Sequence, residues 1–386
     1  MKIAFLVDKS APWYVGGYED RVWNLARKLS AQDEVRVFTS LDANCRLESV
    51  EFERCAPRTF HERVTGGRSL PHSLLFSVCL LHSPFRSWVP DRVILEAIPY
   101  VQLWTVRRWI TSGPWKTVLN INEAWSSYSY FRGVMSSPSR AVVNRSLQTA
   151  VNYSDGVIAI SRNTSNHFKK KYRPKSIRVI PMGVDFSRDQ LQRPNALSRS
   201  IDICSIGRLV SIKRVNDVVR ALSYLKSETG WDGECVIAGE GPLRGSLESL
   251  TRSLGLGENI EFVGLIDDNS KFDLLRRSKT FVLASEREGF SLVTLEAMAC
   301  GAVPVVARPE LTELFGVSEL VENRRTGLTF PVGDYRELAR QLQSILQSTQ
   351  ERETLASRAI DYSKDYDWNR IAVDLRDYLL TMEASP

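Results

Sequence analysis

Two cations and two carboxylates stand out in the second half of this 386-residue chain. Arg208 and Lys213 lie in Gly207-Arg208-Leu209-Val210-Ser211-Ile212-Lys213, directly after the apolar run Ile201–Ile206. Fixed donors plus a compact charge at a strand end suit a diphosphate. A solvated surface pair is the bland reading of the same residues. Glu288 and Glu296 lie in Glu286-Arg287-Glu288-Gly289-Phe290-Ser291-Leu292-Val293-Thr294-Leu295-Glu296-Ala297-Met298. Gly289 frees the backbone for close approach, and the amides of Ser291, Leu292 and Val293 open a helix and form an anion site. Glu296 sits one to two turns into that helix, where a carboxylate suits vicinal hydroxyls. The bland readings are a first-turn acid complementing the helix dipole for Glu288 and an exposed helix residue for Glu296.

These residues need a scaffold that brings strand ends together. Short β-branched runs alternate with longer amphipathic ones. The pattern predicts strands at 3–7, 35–39, 117–121, 156–161 and 177–180, then at 201–206, 234–238, 259–263, 280–284 and 302–306. Helices are predicted at 19–29, with Val22, Leu25, Ala26 and Leu29 on one face, and at 215–225, 292–299 and 367–382. Asp367 is placed to cap the last, whose stripe is Trp368, Ile371, Leu375 and Leu379. This is an α/β protein built from two doubly wound parallel sheets. Pro181-Met182-Gly183-Val184-Asp185, followed by an aperiodic polar stretch, marks a boundary. Domains are therefore expected at 1–185 and 186–366, with a terminal helix at 367–386. Residues 40–116 read as helical and loop-rich. In such sheets ligands bind beyond the carboxyl ends of strands. Gly16-Gly17, Gly239-Glu240-Gly241-Pro242 and Gly264-Leu265 all fall there, with the two motifs above, and argue for one cleft. The Gly239 segment has its third glycine one residue late for a dinucleotide fingerprint.

Composition excludes several classes. With 43% hydrophobic and 25% charged residues the chain is ordinary globular protein, too long for one core. Six cysteines without paired spacing make neither a disulfide framework nor a zinc site, and four histidines show no metal cluster. Asp365-Tyr366-Asp367 reads as helix capping rather than as a metal motif. The start is not a signal peptide and no apolar run is long enough to span a bilayer, so a cytoplasmic location is expected. The net charge of +6 is uneven: residues 1–190 carry +11 and the remainder −5. Five of the nine tryptophans fall between Trp88 and Trp125, mixed with arginine. That combination suits an anionic membrane surface and peripheral association with its cytoplasmic face. A basic surface with buried tryptophans is the alternative. No RNA or DNA motif appears, so nucleic acid is not expected as a partner.

Taken together, the motifs resemble the retaining, GT-B-fold glycosyltransferases of family 4, the glycosyl transferases group 1. The resemblance rests on Glu288-x7-Glu296 with its Glu-Gly-Phe-Ser-Leu-Val-Thr-Leu-Glu-Ala-Met-Ala-Cys-Gly context, and on Gly207-Arg208-Leu209 with Lys213. Gly239-Glu240-Gly241-Pro242-Leu243 and Phe262-Val263-Gly264 add to it. In the first half it rests on Gly16-Gly17, the stretch 154–161 and the stretch 180–185. It implies two Rossmann-like domains facing each other across a cleft, with the last helix crossing back onto the N-terminal domain. It also implies that the C-terminal domain holds a UDP- or GDP-linked sugar as co-substrate, without metal or cofactor. The N-terminal domain would take a glycan, lipid-linked or other membrane-associated acceptor. By the same resemblance Arg208 and Lys213 neutralise the leaving diphosphate, Glu296 binds the ribose and Glu288 the sugar. Gly16 and Gly17 let backbone amides approach donor and acceptor, and the base lies near Gly264 and Leu265. Retention is explained in this family by same-face attack assisted by the leaving phosphate, so no carboxylate is named as nucleophile. Many relatives carry a histidine after the mid-domain strand; Leu119-Asn120-Ile121-Asn122-Glu123 has none, and Asn122 or Glu123 stands in its place. A sugar-nucleotide epimerase on the same fold is the alternative, disfavoured by the scarcity of histidine.

Overall fold

The computed structural model describes residues 1–13, 16–57, 70–80, 82, 85–96, 113–122, 137–186, 199–309 and 316–382. The chain divides into two units, one of Met1–Met182 with Trp368–Pro386, the other of Gly183–Asp367.

The first unit holds an eight-stranded sheet. Its strands are β1 (Lys2–Leu6), β2 (Glu34–Ser40), β3 (Cys45–Leu47), β4 (Val50–Ala56), β5 (Arg92–Glu96), β6 (Lys116–Ile121), β7 (Gly156–Ala159) and β8 (Ile177–Val179). Their order is β3-β4-β2-β1-β5-β6-β7-β8. All neighbours are parallel except the β3–β4 hairpin. Strand β1 is short and almost wholly buried, as a central parallel strand covered on both faces must be. It pairs with β2 on one side and β5 on the other, so the direction of winding reverses there.

Residues 40–116 are not merely helix and loop: β3, β4 and β5 all lie within them. Helices Leu70–Leu80 and Phe85–Trp88 share the stretch. Strand β4 begins with the alternation of a strand solvated on one face, with Val50 and Phe52 inward and Glu51 and Glu53 more exposed. Trp88 and Trp115 are also not surface residues. Both sit in the core, where Phe85 meets Phe38 and Trp115 edge-on at centroid distances of 5.4 and 4.9 Å. Trp104, Trp109 and Trp125 lie outside the described residues.

The helix Trp368–Leu380 belongs to this unit although it follows the other in sequence. Trp368, Ile371, Leu375 and Leu379 are buried on one face, and the helix packs on Gly17–Leu29. Its carbonyl at Leu379 accepts from Arg92 Nε at 2.8 Å, and Arg376 Nε donates to buried Asp33 Oδ2 at 2.7 Å.

The second unit is a six-stranded, wholly parallel sheet. Its strands are β9 (Ile201–Ile206), β10 (Cys235–Ala238), β11 (Ile260–Gly264), β12 (Ser278–Leu283), β13 (Val303–Arg308) and β14 (Leu328–Pro331), in the order β11-β10-β9-β12-β13-β14. Helix Val215–Thr229 buries Val218, Val219, Leu222 and Leu225 and stops at Gly230, whose φ of 70° suits glycine. All six cysteines are free thiols, and burial pushes Cys204 up to about 12. Among the described residues no helix is long and apolar enough to cross a membrane.

Leu375→Ala should cost about 2–5 kcal/mol. The loss should appear as faster amide exchange in β1 and β2, with exchange in β9–β13 unchanged. The Asp33 carboxyl is held below its ordinary range: burial opposes the charge, but hydrogen bonds from Arg376 and the chain's amino group outweigh it. That stabilisation is present above the unfolded-state value of about 4 and fades as pH falls through the folded value. Arg376→Met should therefore lower the melting temperature at about pH 7, and the gap to wild type should narrow in melts taken towards about pH 3.

Candidate active site

In the second unit β9 pairs with β10 on one side and β12 on the other. The crossovers part between β9 and β12 and leave a crevice at their carboxyl ends. Lys213 follows β9 in the short turn Ser211–Lys213, and Glu288 follows β12. Lys213 Nζ and Glu288 Oε1 meet at 2.5 Å. The two loops are also joined through backbone, Glu286 N donating to Ile212 O at 2.9 Å. Arg208, beside them in sequence, is exposed, and its side chain makes no hydrogen bond or ion pair among the described residues.

Neighbouring loops are laced to this pair. Gly207 N donates to Ala238 O and Leu209 N to Glu240 O, both at 2.9 Å, and Gly239 N donates to Gly264 O at 2.7 Å. Glycine is required for that closeness: a Cβ on Gly239, whose φ is 138°, would strike the Gly207 carbonyl, and one on Gly241 the Leu209 carbonyl. A narrow pocket at the strand ends is lined by Ser205, Gly207, Lys213, Ala238, Ala284 and Ser285, among others. Ser285 Oγ is buried there without a hydrogen-bond partner.

The loop after Glu288 is tightly constrained where it enters the next helix. Gly316 N donates to Glu288 O at 2.9 Å, and a Cβ on Gly316 would strike the Gly289 carbonyl. Ser291 precedes helix Leu292–Ala299 in the left-handed region, φ 78°, with its Oγ 2.8 Å from Thr294 Oγ1. A non-glycine residue held there marks a constrained turn. The amides of Leu292 and Val293, in the first turn, have no intrahelical acceptor. The Phe290 ring is buried against Tyr366, so its backbone is the part that borders the loop.

Glu296 is not the exposed helix residue of the bland reading; it is 6% exposed. Lys271 Nζ, from helix Asp268–Arg277, donates to its Oε1 at 2.8 Å. Burial works against the Lys271 charge, but Glu296 and then Asp268 outweigh it and raise its pKa above the ordinary lysine value. Gly264 has φ 73°, and Leu265 next to it, at the end of β11, is 76% exposed.

In the first unit the corresponding crevice is between β1 and β5. Gly16 precedes helix Gly17–Leu29 and its carbonyl accepts from Asp20 N at 3.0 Å. Arg21, fully buried one turn into the helix, donates from Nη2 to Ile180 O at 2.6 Å and from Nη1 to Asn120 Oδ1 at 3.0 Å. Asn120 Nδ2 donates to Glu96 Oε1 at 2.6 Å, and Asn122 Nδ2 to Glu96 Oε2 at 3.2 Å. Burial pushes the Arg21 guanidinium down to about 10 against the pull of Glu96. Glu123 lies outside the described residues.

Thus Lys213 and Glu288 meet directly, with Arg208, Gly289, Phe290, Ser291, Leu292 and Val293 on the same two loops. Glu296 is tied to Lys271, while Gly264 and Leu265 end β11. Gly16, Gly17 and Asn122 belong to the first unit. Sequence reasoning missed Lys271, Ser285, Glu96, Asn120 and Arg21. Arg21 carried a signal, being four residues before Leu25 on the buried face of its helix.

Comparison with known proteins gives two family matches. The model for glycosyl transferases group 1 matches residues 187–362. The model for Glycosyltransferase Family 4 matches residues 15–188. N-acetyl-alpha-D-glucosaminyl L-malate synthase of Bacillus anthracis is 31% identical over 225 residues, 56% of this chain and 57% of that enzyme, so the match spans little over half of the relative. Sucrose-phosphate synthase from Thermosynechococcus elongatus superposes with a TM-score of 0.81 at 19% identity, covering 98% of each chain. HepE of Anabaena, in complex with UDP-glucose, gives 0.72 at 19% identity, covering 99% of this chain and 100% of that one. With both family models matched in succession along nearly the whole chain, the protein belongs to the group 1, family 4 glycosyltransferases and has their GT-B fold.

Proposed function

We propose that the protein transfers a hexosyl group, with retention of anomeric configuration, from a UDP- or GDP-linked sugar to a glycan or lipid-linked acceptor. The observation that carries this reading is the Lys213–Glu288 pair across the two strands where the winding of the second sheet reverses. Breaking the anomeric C–O bond puts negative charge on the diphosphate and positive charge on the sugar. Lys213, Arg208 and the first-turn amides after Ser291 are fixed donors for the former, needing little reorganisation as the charge develops. In the donor complex the diphosphate takes over Lys213, and Glu288, at the same point, receives sugar hydroxyls. Glu296, held by Lys271, takes the ribose hydroxyls. Leu265 offers an apolar face to the base. These donors do the work a divalent ion does elsewhere, so transfer proceeds without metal or cofactor.

On this reading the second unit holds the donor and the first the acceptor. HepE, with the same fold, was crystallised with UDP-glucose, which supports a nucleotide-sugar donor. The +11 charge of residues 1–190 supports an acceptor bearing phosphate or carboxylate, or one presented at an anionic membrane surface on the cytoplasmic side.

A thermal-shift screen of nucleoside diphosphates and their sugars tests the donor site, because a ligand bound only to the native state raises its melting point. A rise with UDP or GDP is expected; no rise with any would refute the reading. Lys213→Ala should lower kcat/KM for transfer by about 10²–10³-fold, with a melt of the same variant showing that the fold survives. Unchanged turnover would remove Lys213 from the diphosphate site. EDTA should leave the rate intact, and the product's anomeric proton coupling should match the donor's.

A further inference from the structure

Lys213 is followed by a residue in an unfavourable conformation. Arg214 ends the turn Ser211–Lys213 and begins helix Val215–Thr229 with φ 49° and ψ 37°, in the left-handed region. A side chain there crowds the following carbonyl, a cost that glycine escapes. The two adjacent cations part at this residue. Lys213 Nζ runs to Glu288, which follows β12. Arg214 turns instead to the first turn of its own helix, where its Nε donates to Asp217 Oδ2 at 2.6 Å. Asn216 Nδ2 donates to the other carboxylate oxygen at 3.1 Å. The guanidinium also lies against Gly333, where a Cβ would stand 3.0 Å from Nη2. A first-turn acid that complements the helix dipole is the bland reading of Asp217. That reading needs only a solvated acid, whereas Asp217 is 1% exposed. A buried carboxylate is kept where its charge is paired and its oxygens are hydrogen-bonded, and Arg214 and Asn216 supply both. The backbone of Arg214 is held as well: its N donates to Ser211 O at 3.1 Å, and its carbonyl accepts from Asp217 N at 2.9 Å.

We propose that Arg214, clamped by Asp217, is a positioning residue for the donor site: it fixes the left-handed turn from which Lys213 is aimed at the diphosphate. The inference rests on the glycosyltransferase reading and adds to it the device that directs the cation. The charge of Arg214 is taken up by Asp217, so Arg214 acts through Lys213 and not on the substrate itself.

The experiment is a double-mutant cycle on the full chain, read as the affinity for UDP and GDP relative to uridine and guanosine, with the weak ligands measured by competition. That ratio isolates what the phosphates contribute. Glycine adopts the left-handed region at no cost, so Arg214→Gly removes the clamp without straining the fold. It should lower the advantage of the diphosphate over the nucleoside by about tenfold and leave nucleoside affinity unchanged. Arg214→Lys, which can still pair with Asp217, should recover part of the loss. In a Lys213→Ala background Arg214→Gly should lower the ratio no further, because the group it aims is gone. A loss caused by missing charge alone, or by general loosening of the second unit, would persist in that background. The inference fails if Arg214→Gly keeps the wild-type ratio, or if it lowers the ratio equally with and without Lys213; in either case a loss in Lys213→Ala alone leaves the glycosyltransferase reading standing. If wild type binds neither UDP nor GDP, both fail.

Discussion

Parallel strands joined by right-handed crossovers cannot wind in one direction across a whole sheet of this order without reversing once. That reversal is the constraint on which the rest of the molecule depends. It falls between β9 and β12 in the second unit and between β1 and β5 in the first. At each reversal the connecting segments leave in opposite directions, and the strand ends stay uncovered. The fold therefore supplies two clefts before any side chain is chosen. The sequence then places its paired charges close to these points: Lys213 against Glu288 in one, Arg21 linked to Glu96 through Asn120 in the other.

The two clefts use charge differently. Lys213 and Glu288 keep 21% and 12% of their side chains accessible, so a ligand of higher charge can compete for either. Arg21 and Glu96 are wholly buried and linked through the Asn120 amide. Removing one member of such a buried set leaves the other unpaired in a poorly polarisable medium, which is more destabilising than the net worth of the pair. The first arrangement is suited to exchange partners during a reaction. The second is suited to stay fixed and to orient what it touches.

Much of the second unit was legible in the sequence because its signals are local. Ile201–Ile206 and Leu292–Ala299 coincide with their sequence-based bounds, and the glycines that let Gly239 meet Gly207 stand in a short run after a β-branched strand. The first unit was harder. Strand β5 is five residues long and charged at both ends, so its apolar centre of three disappears into an arginine- and tryptophan-rich stretch. Strand β4 alternates over 50–53 as a strand solvated on one face should, but beside β3, only three residues long, it does not announce a hairpin. Lys271 could not have been found at all, since its partner is 25 residues away on another helix and no spacing rule links them. Asn120 was visible as a polar residue in a buried strand, yet nothing in the sequence says that its partners are Arg21 and Glu96.

The terminal helix has a consequence for how the chain matures. Leu375 and Leu379 complete a hydrophobic layer whose other side is built from the first few dozen residues. During synthesis those early residues emerge, and then wait while the entire intervening unit is made. That intervening unit is contiguous from Gly183 to Asp367. The layer between Gly17–Leu29 and Trp368–Leu380 thus closes only after the whole of the second unit has been translated.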